Sequence, residues 1–208
     1  MKVIKTFIGA VLAGICIALG GLVFLASDNK VIGAAMFTVG LFTVCTMGFN
    51  LFTGKVCYVF ENDLRYAAML PVIYLGNLAG TGLIALAASL TRGAESFRTA
   101  AGTLVKVKTD DSLLSLFFLG LLCNIFIYIA VDGFKNNPHE LGKYLSLIFG
   151  VMVFILCGTE HCVADMFYFW MSGGFDPRSV LCMLMITLGN CAGGVLFPLL
   201  RKAIKEKV

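Results

Sequence analysis

Charge is scarce in this 208-residue chain: only 13% of its residues are Asp, Glu, Lys or Arg, about half the roughly 25% usual in a soluble domain. Hydrophobic residues make up 59% and the mean hydropathy is +0.93, so a soluble globular class is excluded and the chain belongs in lipid. No Cys-x-x-Cys spacing occurs among the eight cysteines, which removes zinc-site and disulfide-framework readings. No Gly-x-Ser-x-Gly elbow, His-Glu-x-x-His motif or Asn-Pro-Ala repeat is present either. The first two absences argue against an intramembrane enzyme using Glu160, His161 and Asp165 as acid/base or metal groups, and the third against a water channel of the usual kind. Nothing calls for a cofactor. The net charge of +4 does not point to nucleic acid, because the basic residues flank apolar runs or sit in the tail Arg201, Lys202, Lys205, Lys207, where membrane anchoring explains them.

What is present is a series of apolar stretches, at 3–26, 31–60 with an interruption, 66–90, 112–131, 143–171 with an interruption, and 179–200. A bilayer core of about 30 Å needs about 20 residues per spanning helix. Six transmembrane helices therefore account for residues 1–208 as a single membrane domain. The first run is too long for a signal-peptide core and reads as a span. Only the loop at 91–111 has room for structure of its own.

With an even number of spans both termini share one side. Lys and Arg at 2, 5, 65, 135, 143, 201, 202, 205 and 207 fall on it, against 30, 92, 98, 106, 108 and 178 opposite. The positive-inside bias puts both termini in the cytoplasm of a multi-pass protein of the cell's inner membrane.

An internal repeat runs at an offset of 113: Thr46/Thr159, Asp63/Asp176, Arg65/Arg178, Ile73/Ile186, and Leu75-Gly76-Asn77-x-Ala79-Gly80 against Leu188-Gly189-Asn190-x-Ala192-Gly193. Nine identities in the 35 positions 46–80 exceed the roughly three that average composition gives. Halves of about 1–100 and 101–208, with three spans each, must cross the membrane in opposite senses, an inverted repeat of three plus three.

The two interruptions align under this repeat. Met47-Gly48-Phe49-Asn50-Leu51-Phe52-Thr53-Gly54-Lys55 breaks the second helix, and Gly158-Thr159-Glu160-His161-Cys162-Val163-Ala164-Asp165 breaks the fifth. Unwound backbone at membrane depth is tolerated where it lines a cavity or is buried in protein, so paired breaks predict a pathway. Half-helices starting there would aim free amides inward and favour an anion. His161, ionisable at such depth, is a functional candidate. Glu160 reads best as a carboxylate bonded to the amides of the following half-helix. His161 and Asp165, four residues apart, could share a face, but they lack a third ligand for a metal.

These residues resemble the formate/nitrite transporter family over nearly the whole chain. Asn50-Leu51-Phe52-Thr53-Gly54 is similar to that family's loop in the broken second helix, and Gly158 to Met166, with its Glu-His-x-x-x-(Asn/Asp)-Met pattern, to its loop in the fifth. Phe37, Leu41, Lys108, Asn124 and Phe154 fall at the family's spacing.

The resemblance implies an aquaporin-like protomer with its own pore, a homopentamer, and small monovalent anions such as formate, nitrite, hydrosulfide or acetate as cargo. It also implies roles: Lys108 concentrates anions at a vestibule, and Phe37, Leu41, Leu51, Phe52 and Phe154 form apolar constrictions. Thr53, Asn124 and His161 supply hydrogen bonds between them. Lys108 snorkelling beside the fourth span and Asn124 as interhelical glue are the rival readings. A bare anion pays heavily to cross apolar rings, so transit as the neutral acid, or with His161 as a transient proton partner, is expected. Asn50 stands where members often carry Glu, and Asp165 where many carry Asn. The first span begins almost at once, so the longer N-terminal segment that gates some members at low pH is not expected.

Overall fold

The computed structural model describes residues 2–205; Lys207 of the basic tail lies outside them. The described residues form ten α-helices and one short 3-10 turn, with no strand. α1 spans Lys2–Leu25, α2 Lys30–Met47, α3 Phe52–Val56, α4 Leu64–Ala67 and α5 Leu70–Ser89. α6 spans Ala94–Asp110, α7 Leu113–Asn136, α8 Glu140–Leu156, α9 Cys162–Ser172 and α10 Pro177–Lys205.

Local chemistry sets the boundaries. Asn29 caps α2 by accepting the Val31 and Ile32 amides at 2.9 and 3.1 Å, and Ser112 caps α7 through the Ser115 amide at 3.1 Å, as short polar side chains do at helix starts. Gly48 and Gly158 stop α2 and α8 in the left-handed region, at φ 71° and 68°, which only glycine enters without strain. The loop at 91–111 is mostly α6, which lays Ala101 and Lys108 inward.

Five helical segments are long and apolar enough to cross a membrane: Lys2–Leu25, Lys30–Met47, Leu64–Ser89, Leu113–Asn136 and Pro177–Ile204. The stretch at 143–171 is carried instead by α8 and α9, of 17 and 11 residues. Val31, Leu83, Phe118 and Leu184 are each more than half exposed, an apolar exterior that suits lipid.

α1 packs on α2 and α5, and α7 packs in the same way on α8 and α10. Close approach rests on small residues, as is usual between helices in lipid. A Cβ on Gly80 would collide with the Val11 carbonyl, and one on Gly193 with that of Leu121. These contacts refine the repeat. The α1/α7 positions and the two stop glycines correspond at an offset of 110, whereas Gly76–Gly80 and Gly189–Gly193 correspond at 113. Gly158 thus stands three residues further from Gly189–Gly193 than Gly48 does from Gly76–Gly80, and Thr46 is not the counterpart of Thr159.

Candidate functional site

Two asparagines of the repeat hold the ends of the short helices. Asn77 Oδ1 accepts the Phe52 amide at 2.8 Å, while its Nδ2 donates to the carbonyls of Ala10 at 2.7 Å and Asn50 at 3.0 Å. Asn190 repeats the pattern: Oδ1 accepts the Cys162 amide at 2.9 Å, and Nδ2 donates to Gly120 and Glu160 at 2.8 Å each. Both are fully buried, and each satisfies three backbone groups that the breaks would otherwise leave orphaned.

Between these anchors the halves meet. Thr53 Oγ1 lies 2.9 Å from His161 Nε2, and His161 Nδ1 accepts the Ala164 amide at 3.1 Å, capping α9. A ring nitrogen that accepts cannot carry a proton, so this bonding assigns the neutral tautomer with hydrogen on Nε2. The His161 ring stacks on Phe154 at 5.6 Å, and Phe154 meets Phe37 edge-on at 6.1 Å.

Cavities lie on both sides of this cluster. One, of about 170 Å³, is bordered by Phe37, Phe154, His161, Lys108, Glu160 and Asp165. The other, of about 120 Å³, is bordered by Leu41, Leu51, Gly54, Lys55, Phe134 and Lys135. Phe37 borders the first and Leu41 the second; they stand one turn apart on α2 and are 2% and 1% exposed. Phe52 borders neither cavity and packs edge-on against Tyr74 at 5.0 Å. Asn124 Nδ2 donates to the carbonyls of Thr53 at 3.2 Å and Asn190 at 2.7 Å, tying α7 to α3 and α10, and its Oδ1 is buried without a partner.

Lys108, Glu160 and Asp165 form a buried ion cluster. Lys108 Nζ pairs with Glu160 Oε2 and, at 3.0 Å, with Asp165 Oδ1.

The sequence profile described as Formate/nitrite transporter matches residues 1–203. The chain belongs to the formate/nitrite transporter family. It is similar to the formate channel FocA of Haemophilus influenzae, with 26% identity over 92% of this chain and 83% of that protein. To the nitrite transporter NirC of Salmonella typhimurium it is 27% identical over 92% of this chain and 79% of that protein. Among solved structures, a pentameric formate channel with formate bound superposes with a TM-score of 0.81 at 26% identity, covering 100% of this chain and 98% of that one. These formate/nitrite transporter relatives are channels and transporters, not enzymes, and the chain is an integral membrane protein.

Within this formate/nitrite transporter chain several expected contacts differ. Glu160 does not cap the half-helix after it. His161 does, because its Nδ1 reaches the Ala164 amide, while the Glu160 carboxylate turns to Lys108, the cation available to a buried charge. Lys108 neither stands free in a vestibule nor snorkels; it is 7% exposed and ion-paired. The amides that begin α9 are not all free, since Asn190 and His161 take those of Cys162 and Ala164. Asn50 turns to α1, donating to the Thr6 carbonyl at 3.2 Å.

Sequence reasoning missed Asn77, Asn190, Lys55 and Lys135. The asparagines stood inside the quoted repeat, where a polar residue in a small-residue motif was a usable signal. For the lysines none existed, because they are 80 residues apart and share only the cavity beyond Leu51.

Proposed function

We propose that the chain conducts small monovalent anions of the formate, nitrite, hydrosulfide and acetate class across the cell's inner membrane, with formate the first candidate. The observation that carries this reading is a pair of cavities, one bordered by Phe37, Phe154 and His161 and the other by Leu41 and Leu51, with Thr53 bonded to His161 beside them. The second cavity is bordered by Lys55 and Lys135, suiting it to anions, the first by Lys30 beside the Lys108 ion cluster, and the barrier is apolar, suiting it to a neutral species. Burying an unpaired charge there costs far more than one hydrogen bond returns. The species at the barrier is therefore the neutral acid, and His161 offers it an Nε2–H hydrogen bond in place of Thr53. Lys55 and Lys135 belong to the second mouth; among the described residues neither has a carboxylate within ion-pair distance.

The protomer is read as one transmembrane domain of six spans, the second made of α2 with α3 and the fifth of α8 with α9, in an aquaporin-like inverted repeat of three plus three. The bond between Tyr74 Oη and Thr187 Oγ1, 3.0 Å long and joining positions 113 apart, supports that reading, because equivalent positions touch at a two-fold axis. Five protomers form the assembly, as the name of the pentameric formate channel suggests, and both termini lie in the cytoplasm, with Lys55 and Lys135 on that side.

A competition panel of the four anions on reconstituted protein across a pH series tests the reading. Saturable uptake, rising as pH falls and inhibited by the preferred anion, is expected. Rapid water flux without anion flux in stopped-flow measurements would replace it with a water or neutral-solute channel.

A further inference from the structure

The carboxylates of the α6 vestibule outnumber its paired cation. Lys108 faces both Glu160 and Asp165, and the three side chains are 8%, 7% and 2% exposed. With every group ionised, one negative charge would be buried without a partner, among the least favourable arrangements in a protein interior. Asp165 Oδ2 bears the deficit: it is buried and no donor reaches it. Glu160 Oε2 and Asp165 Oδ1 converge on the same Lys108 Nζ. A single proton shared between the two acids neutralises the cluster and supplies a donor. An asparagine at position 165 would have left one carboxylate for one lysine.

We infer that the Glu160–Asp165 pair, held by Lys108, is a proton-binding site that hands its proton to the anion arriving in this vestibule. The inference rests on the anion-pathway reading above. The acid O–H of the pair breaks, an O–H forms on the anion, and the neutral acid moves on between Phe37 and Phe154. The dicarboxylate left behind takes its next proton from vestibule water, so one proton accompanies each anion. His161 cannot serve as this donor, because its Nδ1 is occupied by the Ala164 amide.

The surrounding groups leave the pair as the proton store. α2 brings Lys30, whose Nζ donates to the Leu156 carbonyl at 3.3 Å. α9 brings Tyr168, whose ring lies 5.9 Å from Lys108 Nζ, together with Cys162; α7 brings Cys123, and α5 brings Tyr74. From α10, Arg178 donates to the carbonyls of Thr109 at 3.0 Å and Asp111 at 2.5 Å.

Wild-type protein, Asp165→Asn and Glu160→Gln are reconstituted and titrated by infrared difference spectroscopy. A protonated carboxyl C=O band that shifts in D2O is expected in the wild type and absent in both variants, each of which leaves one carboxylate for one lysine; either variant suffices if the other does not assemble. An internal pH dye is expected to read about one proton per formate in the wild type, and neutral-pH flux about 10²-fold lower in the variants, as for loss of a positioned proton donor. No such band in the wild type, or a band that persists in both variants, overturns the inference. A wild type that gives the band but moves no anion overturns the functional reading and leaves the proton site standing.

Discussion

The Thr53 hydroxyl and His161 Nε2, from opposite halves of the chain, stand 2.9 Å apart, while the other ring nitrogen of His161 caps α9 through the Ala164 amide. One side chain thus terminates a helix and presents a hydrogen bond to the barrier. These duties separate by mutation. His161→Ala loses both and should cost about 1 kcal/mol through the cap. His161→Asn keeps a favoured cap residue but not the ring over Phe154. Both variants should change pH dependence or ion selectivity in proteoliposomes, with Ala lowering the melting temperature further than Asn because it loses the cap as well; a wild-type flux and pH profile in both would remove His161 from the pathway.

Thr53→Val preserves shape but leaves the buried His161 N–H without its acceptor. A loss of about 1–3 kcal/mol is expected, read as thermal unfolding in detergent, with Thr53→Ser close to wild type. Equal stability of the Val and Ser variants would mean that the bond adds nothing.

Asn77→Ala and Asn190→Ala each delete three hydrogen bonds. At about 0.6 kcal/mol per bond in a membrane protein, each variant should lose about 2 kcal/mol. Asn77→Asp should fare worse, since it sets a carboxylate against two carbonyl oxygens. Unfolding free energies unchanged in all three would deny the tether.

Lys55→Gln and Lys135→Gln should weaken anion uptake from the second mouth at low concentration. The deficit should shrink as salt rises past about 0.1 M, where screening acts within about 10 Å. A concentration dependence that ignores both substitutions would place the capture site elsewhere.

Lys108→Gln leaves two buried carboxylates without their cation, and breaking such a pair costs about 3–5 kcal/mol. Adding Glu160→Gln and Asp165→Asn to the same chain should recover most of that stability. No recovery would show that Lys108 acts through packing instead of charge.

Much of the site was legible because the signals are local. Run lengths and scarce charge identify a membrane protein, and Gly48 and Gly158 stop helices wherever they stand. The unusual chemistry of Glu160-His161 within an apolar stretch singled out that segment, and the structure brings Thr53 and His161, both named from the sequence, to 2.9 Å. Phe37, Leu41, Leu51 and Phe154 do border the cavities, whereas Phe52, their neighbour in sequence, turns to Tyr74.

By itself, then, the sequence determined the solvent, the helical content and the two helix-stopping glycines, because hydropathy and helix termination depend on neighbours a turn or two away. Only the tertiary structure decided who partners whom. Glu160 could cap its own helix or reach Lys108, 52 residues away, and packing chose Lys108 because a buried carboxylate gains more from a cation than from an amide. Likewise the proton of His161 is fixed by the Ala164 amide on one side and a threonine 108 residues away on the other, a geometry no local pattern encodes.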